Sequence, residues 1–165
     1  MPVPDPLATV AALCARSAAG ESLSEAVSAL AEAFQVGTHE VAVLRLEQEV
    51  LAFVAPARLR TMGTIPLSAA NSSVAARTAK TGRSDLNNRF AATPHARVFE
   101  GIKLGDAKLP IQKLMSAPIA RAGRMLGVVQ VSRKANSPDD VADFTREDLA
   151  LLTRAGEMLA NLLEP

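Results

Sequence analysis

Leu114-Met115-Ser116-Ala117-Pro118-Ile119-Ala120-Arg121-Ala122-Gly123-Arg124-Met125-Leu126-Gly127-Val128-Val129-Gln130-Val131-Ser132-Arg133-Lys134 is the stretch on which the fold turns. Two apolar runs flank Arg121-Ala122-Gly123-Arg124, where Gly123 can supply the positive φ of a tight reversal. The second run, residues 125–131, is β-branched and barely interrupted by charge, as a buried strand should be. A β-hairpin in the middle of a sheet is expected here.

Outward from the hairpin, the order of elements takes shape. Residues 83–113 show no strong periodicity, and a loop of that length in a compact domain is functional or disordered. Broken short helices are expected there, with Thr93-Pro94 opening one across residues 95–101. After the hairpin, residues 136–143 form a polar connector. Thr145 then caps a last helix whose first turn is acidic, running to Leu163. That helix carries two apolar stripes, one of Leu149, Leu152, Leu159 and Leu163, the other of Leu151, Ala155, Met158 and Leu162. The first covers the sheet; the second either meets the same helix of another copy or is buried within the chain.

Toward the N-terminus, residues 1–6 are Pro-rich and expected to fray, and Leu7, Val10 and Cys14 follow helical spacing up to a stop at Gly20. Ser22 and Glu25 form a capping-box pattern opening a second helix, with Leu23, Val27, Leu30 and Phe34 on one face and Gly37 at its end. Residues 41–46 and 50–55 read as a first hairpin across Glu47-Gln48-Glu49. An extended piece at 64–67 leads to Asn71-Ser72-Ser73, a helix over 74–80 and a stop at Gly82. The chain is expected to be one domain over 1–165, with helices at 7–36, sheet and ligand-side loops at 40–134, and a last helix at 145–163.

Composition narrows the function classes. Net charge is +1, so nothing electrostatic draws the chain to nucleic acid. No apolar run approaches the ~20 residues of a membrane span, and the N-terminus lacks a signal-peptide pattern, so a cytoplasmic location is expected. Five Phe with no Trp or Tyr leave few stacking platforms for bases or flat chromophores. A single cysteine, Cys14, excludes an intramolecular disulfide and any multi-cysteine metal site.

Three stretches in this order resemble the GAF domain, a small-molecule sensor module related to the PAS fold. They are residues 73–82, the pair Ser116-Ala117-Pro118-Ile119 and Gly127-Val128-Val129-Gln130-Val131, and Phe144-Thr145-Arg146-Glu147-Asp148-Leu149. The resemblance implies an α+β fold. A central antiparallel sheet of five to six strands would carry terminal helices on one face and a loop and short-helix lid on the other. It further implies dimerisation through the terminal helices and signalling to a separate partner protein, because the chain has no room for an output domain. The family's cyclic-nucleotide signature is kept only in part, with Arg133 and Leu149 at two of its positions. Lys134 and Asp148 either pair or, more simply, Asp148 reaches back to its own helix start. Free methionine sulfoxide reductases of this family need pocket cysteines that form a disulfide, which one cysteine cannot provide.

Candidate ligand-binding residues are Asn87, Asn88, Arg89 and Phe90, with His95 and Phe99 further along the loop. Ser116 and Gln130, polar in apolar strands, are either pocket-facing or edge residues. Arg83, Arg89, Arg97, Lys103, Lys108 and Lys113 outnumber Asp85, Glu100 and Asp106 in the long loop. That excess either favours an anionic ligand or is solvated surface charge. No cofactor, metal or catalytic constellation is expected. The reading is a non-enzymatic sensor of a small molecule, and the alternative is a ligand-free dimerisation or docking scaffold.

Overall fold

Alternation of apolar side chains along the central strands places two different surfaces on one sheet, and that division organises the whole molecule. The computed structural model describes residues 5, 8, 9, 11, 12, 19–55, 57, 60, 63–71, 73–92 and 109–163. Six strands form a sheet in the order β3-β2-β1-β6-β5-β4. They are β1 (Val41–Glu47), β2 (Val50–Ala55), β3 (Thr64–Pro66), β4 (Asp85–Asn87), β5 (Ile111–Arg121) and β6 (Arg124–Lys134). Every pairing between neighbours is antiparallel. The helices are α1 (Ala19–Ala33), α2 (Val74–Thr81) and α3 (Arg146–Leu163).

The central hairpin is β5–β6, with Arg121 opposite Arg124. Both turn residues have positive φ, 51° at Ala122 and 76° at Gly123. That is the type I′ pattern, whose twist matches the flanking strands. β4 reaches only as far as Ser116 on β5. At Pro118 that side of β5 has no neighbouring strand among the described residues, so a residue without an N–H is tolerated there.

On one face, α1 and α3 cover Val41, Val43, Met115, Ala117, Ile119, Val129 and Val131 in a single apolar cluster with Leu30, Phe34, Leu152, Ala155, Leu159 and Leu162. On the other, α2 covers Ala42, Leu44, Leu51, Phe53 and Val128. Two glycines permit close approach. A side chain at Gly127 would run into the Leu44 carbonyl, and one at Gly156 of α3 into the Pro118 carbonyl.

The structure corrects several boundaries. Gly20 is no helix stop, because α1 already includes Ala19 and Gly20. Nor does Gly37 end α1. Gln35 takes the left-handed conformation, φ 55°, while its N–H donates to Glu32 O and that of Val36 to Ala31 O, a Schellman closure. Gly37 instead donates its N–H to Glu40 Oε1. The segment 83–113 is not all loop, since β4 lies within it and β5 begins at Ile111. In α3, Ala155 and Leu162 of the second stripe are buried within the chain, and Leu151 and Met158 are half-buried. Asp148 does not pair with Lys134: its carboxylate accepts the Thr145 N–H (2.8 Å), and its own N–H donates to Thr145 Oγ1 (3.1 Å). The expected short helix over 95–101 and the helix through Leu7, Val10 and Cys14 lie outside the described residues.

Candidate functional site

α2 is set against the sheet by its ends. The Ser73 hydroxyl accepts the Ala76 N–H at its start, and Gly82, φ 68°, closes its last turn. Ala75, Ala76 and Ala79 on its buried side are small, so the helix lies close to β6 and β5. Thr78 sits among them, and its hydroxyl is 2.8 Å from that of Ser116 on β5. Gln130 faces Ser116 across the β5–β6 ladder and donates an amide proton to Ser116 Oγ at 3.2 Å. Thr78, Ser116 and Gln130 are 1%, 0% and 3% exposed, a buried polar cluster in an apolar layer.

Its hydrogen bonds are incomplete. A hydroxyl offers one proton and two lone pairs, a primary amide two protons and two lone pairs. One hydroxyl proton is used between Thr78 and Ser116, and one amide proton on Ser116. The second hydroxyl proton, the second amide proton and the amide oxygen have no partner among the described residues. With the amide turned over, its oxygen accepts the Ser116 proton while Thr78 donates to Ser116, which leaves only the two amide protons. Among the described residues the fully buried side-chain nitrogen or oxygen without a partner is Arg45 Nε, whereas the fully buried polar atoms of Thr78, Ser116 and Gln130 each have at least one. The capacity left over in this cluster is partial, and water or a ligand can meet it.

Ser116 and Gln130 are therefore not edge residues; they lie on the inner strands and face α2. Asp85, opposite Ser116 on β4, pairs with Arg77 of α2 at 2.5 Å. Asn87 accepts the Arg89 N–H with its side-chain oxygen. The Asn88 amide is committed to backbone: Nδ2 donates to Phe144 O (2.9 Å) and Oδ1 accepts the Phe144 N–H (2.8 Å). Phe90 is buried against Ile111 and Leu114, beside the N-terminus of α2. Arg89 is exposed. His95 and Phe99 lie outside the described residues, as do Arg97, Lys103 and Lys108.

Among the described cations of this segment, Lys113 is turned away from α2. It points to the opposite face, where Nζ donates to Val141 O (2.7 Å) and to the Asp143 carboxylate (2.5 Å). Arg133 stacks on Phe144, 4.2 Å from the ring centre, and donates to the carbonyls of Phe34, Ala142 and Asp143. Burial lowers the pKa of Lys134, and the nearby Glu40 carboxylate partly offsets this. Among the described residues, no group of three or more His, Cys, Asp or Glu is placed to hold a metal. Thr78 was not among the expected site residues, although a hydroxyl on the apolar stripe of a short helix is a readable signal.

The chain was compared with known proteins. The model of the GAF domain family matches residues 19–163. No curated protein matches the sequence. Solved structures do match. The GAF domain of an Acinetobacter phosphoenolpyruvate-protein phosphotransferase superposes with a TM-score of 0.71 at 14% identity, covering 96% of this chain and 90% of that one. The free methionine-R-sulfoxide reductase of Neisseria meningitidis, solved with its substrate, gives 0.68 at 17% identity, covering 95% and 85%. The nlh2 GAF domain of A. aeolicus, in an inactive state, gives 0.70 at 12% identity, covering 95% and 92%. At these identities the superpositions speak for the fold. With the family match spanning α1 through α3, the chain belongs to the GAF domain family.

Proposed function

We propose that this chain is a non-enzymatic sensory module that binds a small molecule on the α2 side of its sheet. The terminal helices α1 and α3 then carry the response to a second copy and to a separate signalling protein. What supports this reading is the spare hydrogen-bonding capacity of the Gln130 amide, which spends one group on Ser116 beside Thr78. A ligand that presents an acceptor to the amide protons complements it in either orientation of the amide. Phe90 supplies an apolar wall, and Asn87, Asn88, Arg89, His95 and Phe99 complete the candidate set. An anionic preference rests on Arg89, Arg97, Lys103 and Lys108, since Lys113 is paired on the other face.

Ligand binding acts by population shift, with the terminal helices as the responding elements. Half-buried Leu151 and Met158 offer α3 a surface for a second copy. No helix among the described residues is long and apolar enough to cross a membrane, in keeping with a cytoplasmic sensor. The sulfoxide reductase likeness extends to the fold, and one cysteine cannot form the disulfide that such chemistry uses.

Native mass spectrometry of the freshly purified chain tests the proposal and reads the oligomeric state at once. A non-covalent adduct that Gln130→Met loses is the expected result. The second reading, a ligand-free scaffold, is favoured by how completely α2 seals the cluster. Bare wild-type mass, with no stabilisation by a broad metabolite library, decides for the scaffold.

A further inference from the structure

β4 is three residues long and, among the described residues, pairs only with β5, yet residues on both sides of it are bonded to α3 or to the residue that leads into its cap. Before it, the Ser84 and Thr153 hydroxyls are 2.6 Å apart. The Thr153 proton already goes to the Leu149 carbonyl at 2.8 Å, so Ser84 is the donor to Thr153. After it, Asn88 grips both the N–H and the C=O of Phe144, the residue just before the Thr145 cap of α3. Between these points Leu86 packs into the cluster under α1 and α3, while Asp85 holds Arg77 of α2. Asn88 leads directly into the turn of Arg89 and Phe90, on the α2 side.

We infer that residues 84–88 form a two-point strap coupling the α2-side segment 89–92 to the N-terminal half of α3. The strap rests on the sensory reading for what it transmits, and on these bonds alone for its existence. An amide bonded to both the N–H and the C=O of one residue ties together the two peptide units that flank it and fixes their orientation. A displacement of residues 89–92 that draws Asn88 with it therefore removes both partners of Phe144 and loosens the cap that Thr145 and Asp148 build on it. Coupling between two sites is reciprocal, so uncapping α3 must loosen residues 89–92 in return.

Amide hydrogen exchange on the full chain tests both directions without any ligand. In Asn88→Ala, exchange at Thr145, Asp148 and Leu149 is expected to accelerate at least about tenfold. In Asp148→Ala, the Ala92 amide, bonded to Arg89 O at 3.0 Å, is expected to accelerate comparably. Leu51→Val, in the far half of the sheet, is the control for general loss of stability and leaves both regions protected. Acceleration confined to Phe144 in the first variant, with Ala92 unchanged in the second, overturns the strap. So does equal acceleration in Leu51→Val. Should Asn88→Ala fail to fold, Thr153→Val cuts the other point and is read at the same amides. Because no arm contains a ligand, a missing strap leaves the sensory proposal standing, and a missing ligand leaves the strap standing.

Discussion

The two faces of the sheet are built from alternate residues of the same strands, yet they differ in kind. Against α1 and α3, the strands present Val43, Met115, Ile119 and Val129 in one continuous apolar cluster that includes Leu30, Leu152 and Leu159. Against α2, the apolar layer breaks into two smaller clusters, with Thr78, Ser116 and Gln130 buried among the α2-side residues. Burying polar groups without full partners is unfavourable, and apolar residues of similar size would pack there at lower free energy. The contrast teaches that stability is concentrated on one side, which leaves the other free to keep chemistry that stability alone would discard.

Substitutions on the helix side should break the fold, and those on the α2 side should not. The largest effect is expected from Leu159→Ala, which opens a cavity beneath α3 and should lose about 2–5 kcal/mol in urea unfolding. Gly156→Ala comes next. Helix propensity alone favours alanine by about 1 kcal/mol. The added carbon meets the Pro118 carbonyl, backbone that cannot swing aside, so a net loss of about 1–3 kcal/mol is expected in the same experiment. Equal or greater stability in Gly156→Ala would show that α3 is not seated on β5 as described.

On the other face, Gln130→Met removes a buried amide with unmet capacity and leaves Thr78 and Ser116 bonded to each other. Its unfolding free energy in urea should change by no more than about 1 kcal/mol in either direction. A loss as large as that of Leu159→Ala would erase the distinction between the faces.

The smallest effect concerns Lys134, whose ammonium is held below its ordinary value of 10.5 mainly by burial, with Glu40 opposing. The unfolded chain then binds more protons between the folded value and 10.5, so wild-type stability gains with rising pH across that window. Lys134→Met lacks this gain. Urea midpoints of the two chains should therefore move in favour of wild type as the pH rises toward 10.5, and a gap that stays constant would refute the assignment.

Locally encoded features were readable from sequence. Gly123 and its flanking runs gave away β5–β6, Ser73 and Gly82 bracketed α2, and Thr145 with Asp148 marked the start of α3. Features held from a distance were not. Asp85-Leu86-Asn87 has no strand propensity of its own, and its conformation comes from pairing with β5 and from contacts reaching α2 and α3. Gln35 closes α1 in a left-handed conformation where Gly37, two residues on, was the obvious candidate. For the site, Ser116 and Gln130 stood out as polar residues in apolar strands. Only the register placed them side by side and under Thr78.

The central claim is that the polar cluster beneath α2 is where a ligand is held. Thermal unfolding of wild type and Gln130→Met against one metabolite library tests it most directly. At about one hundred times its Kd, a true ligand should raise the wild-type Tm by roughly 5–10 °C, and that of Gln130→Met by less than half as much. A compound that stabilises both chains equally, or a library that stabilises neither, contradicts the account.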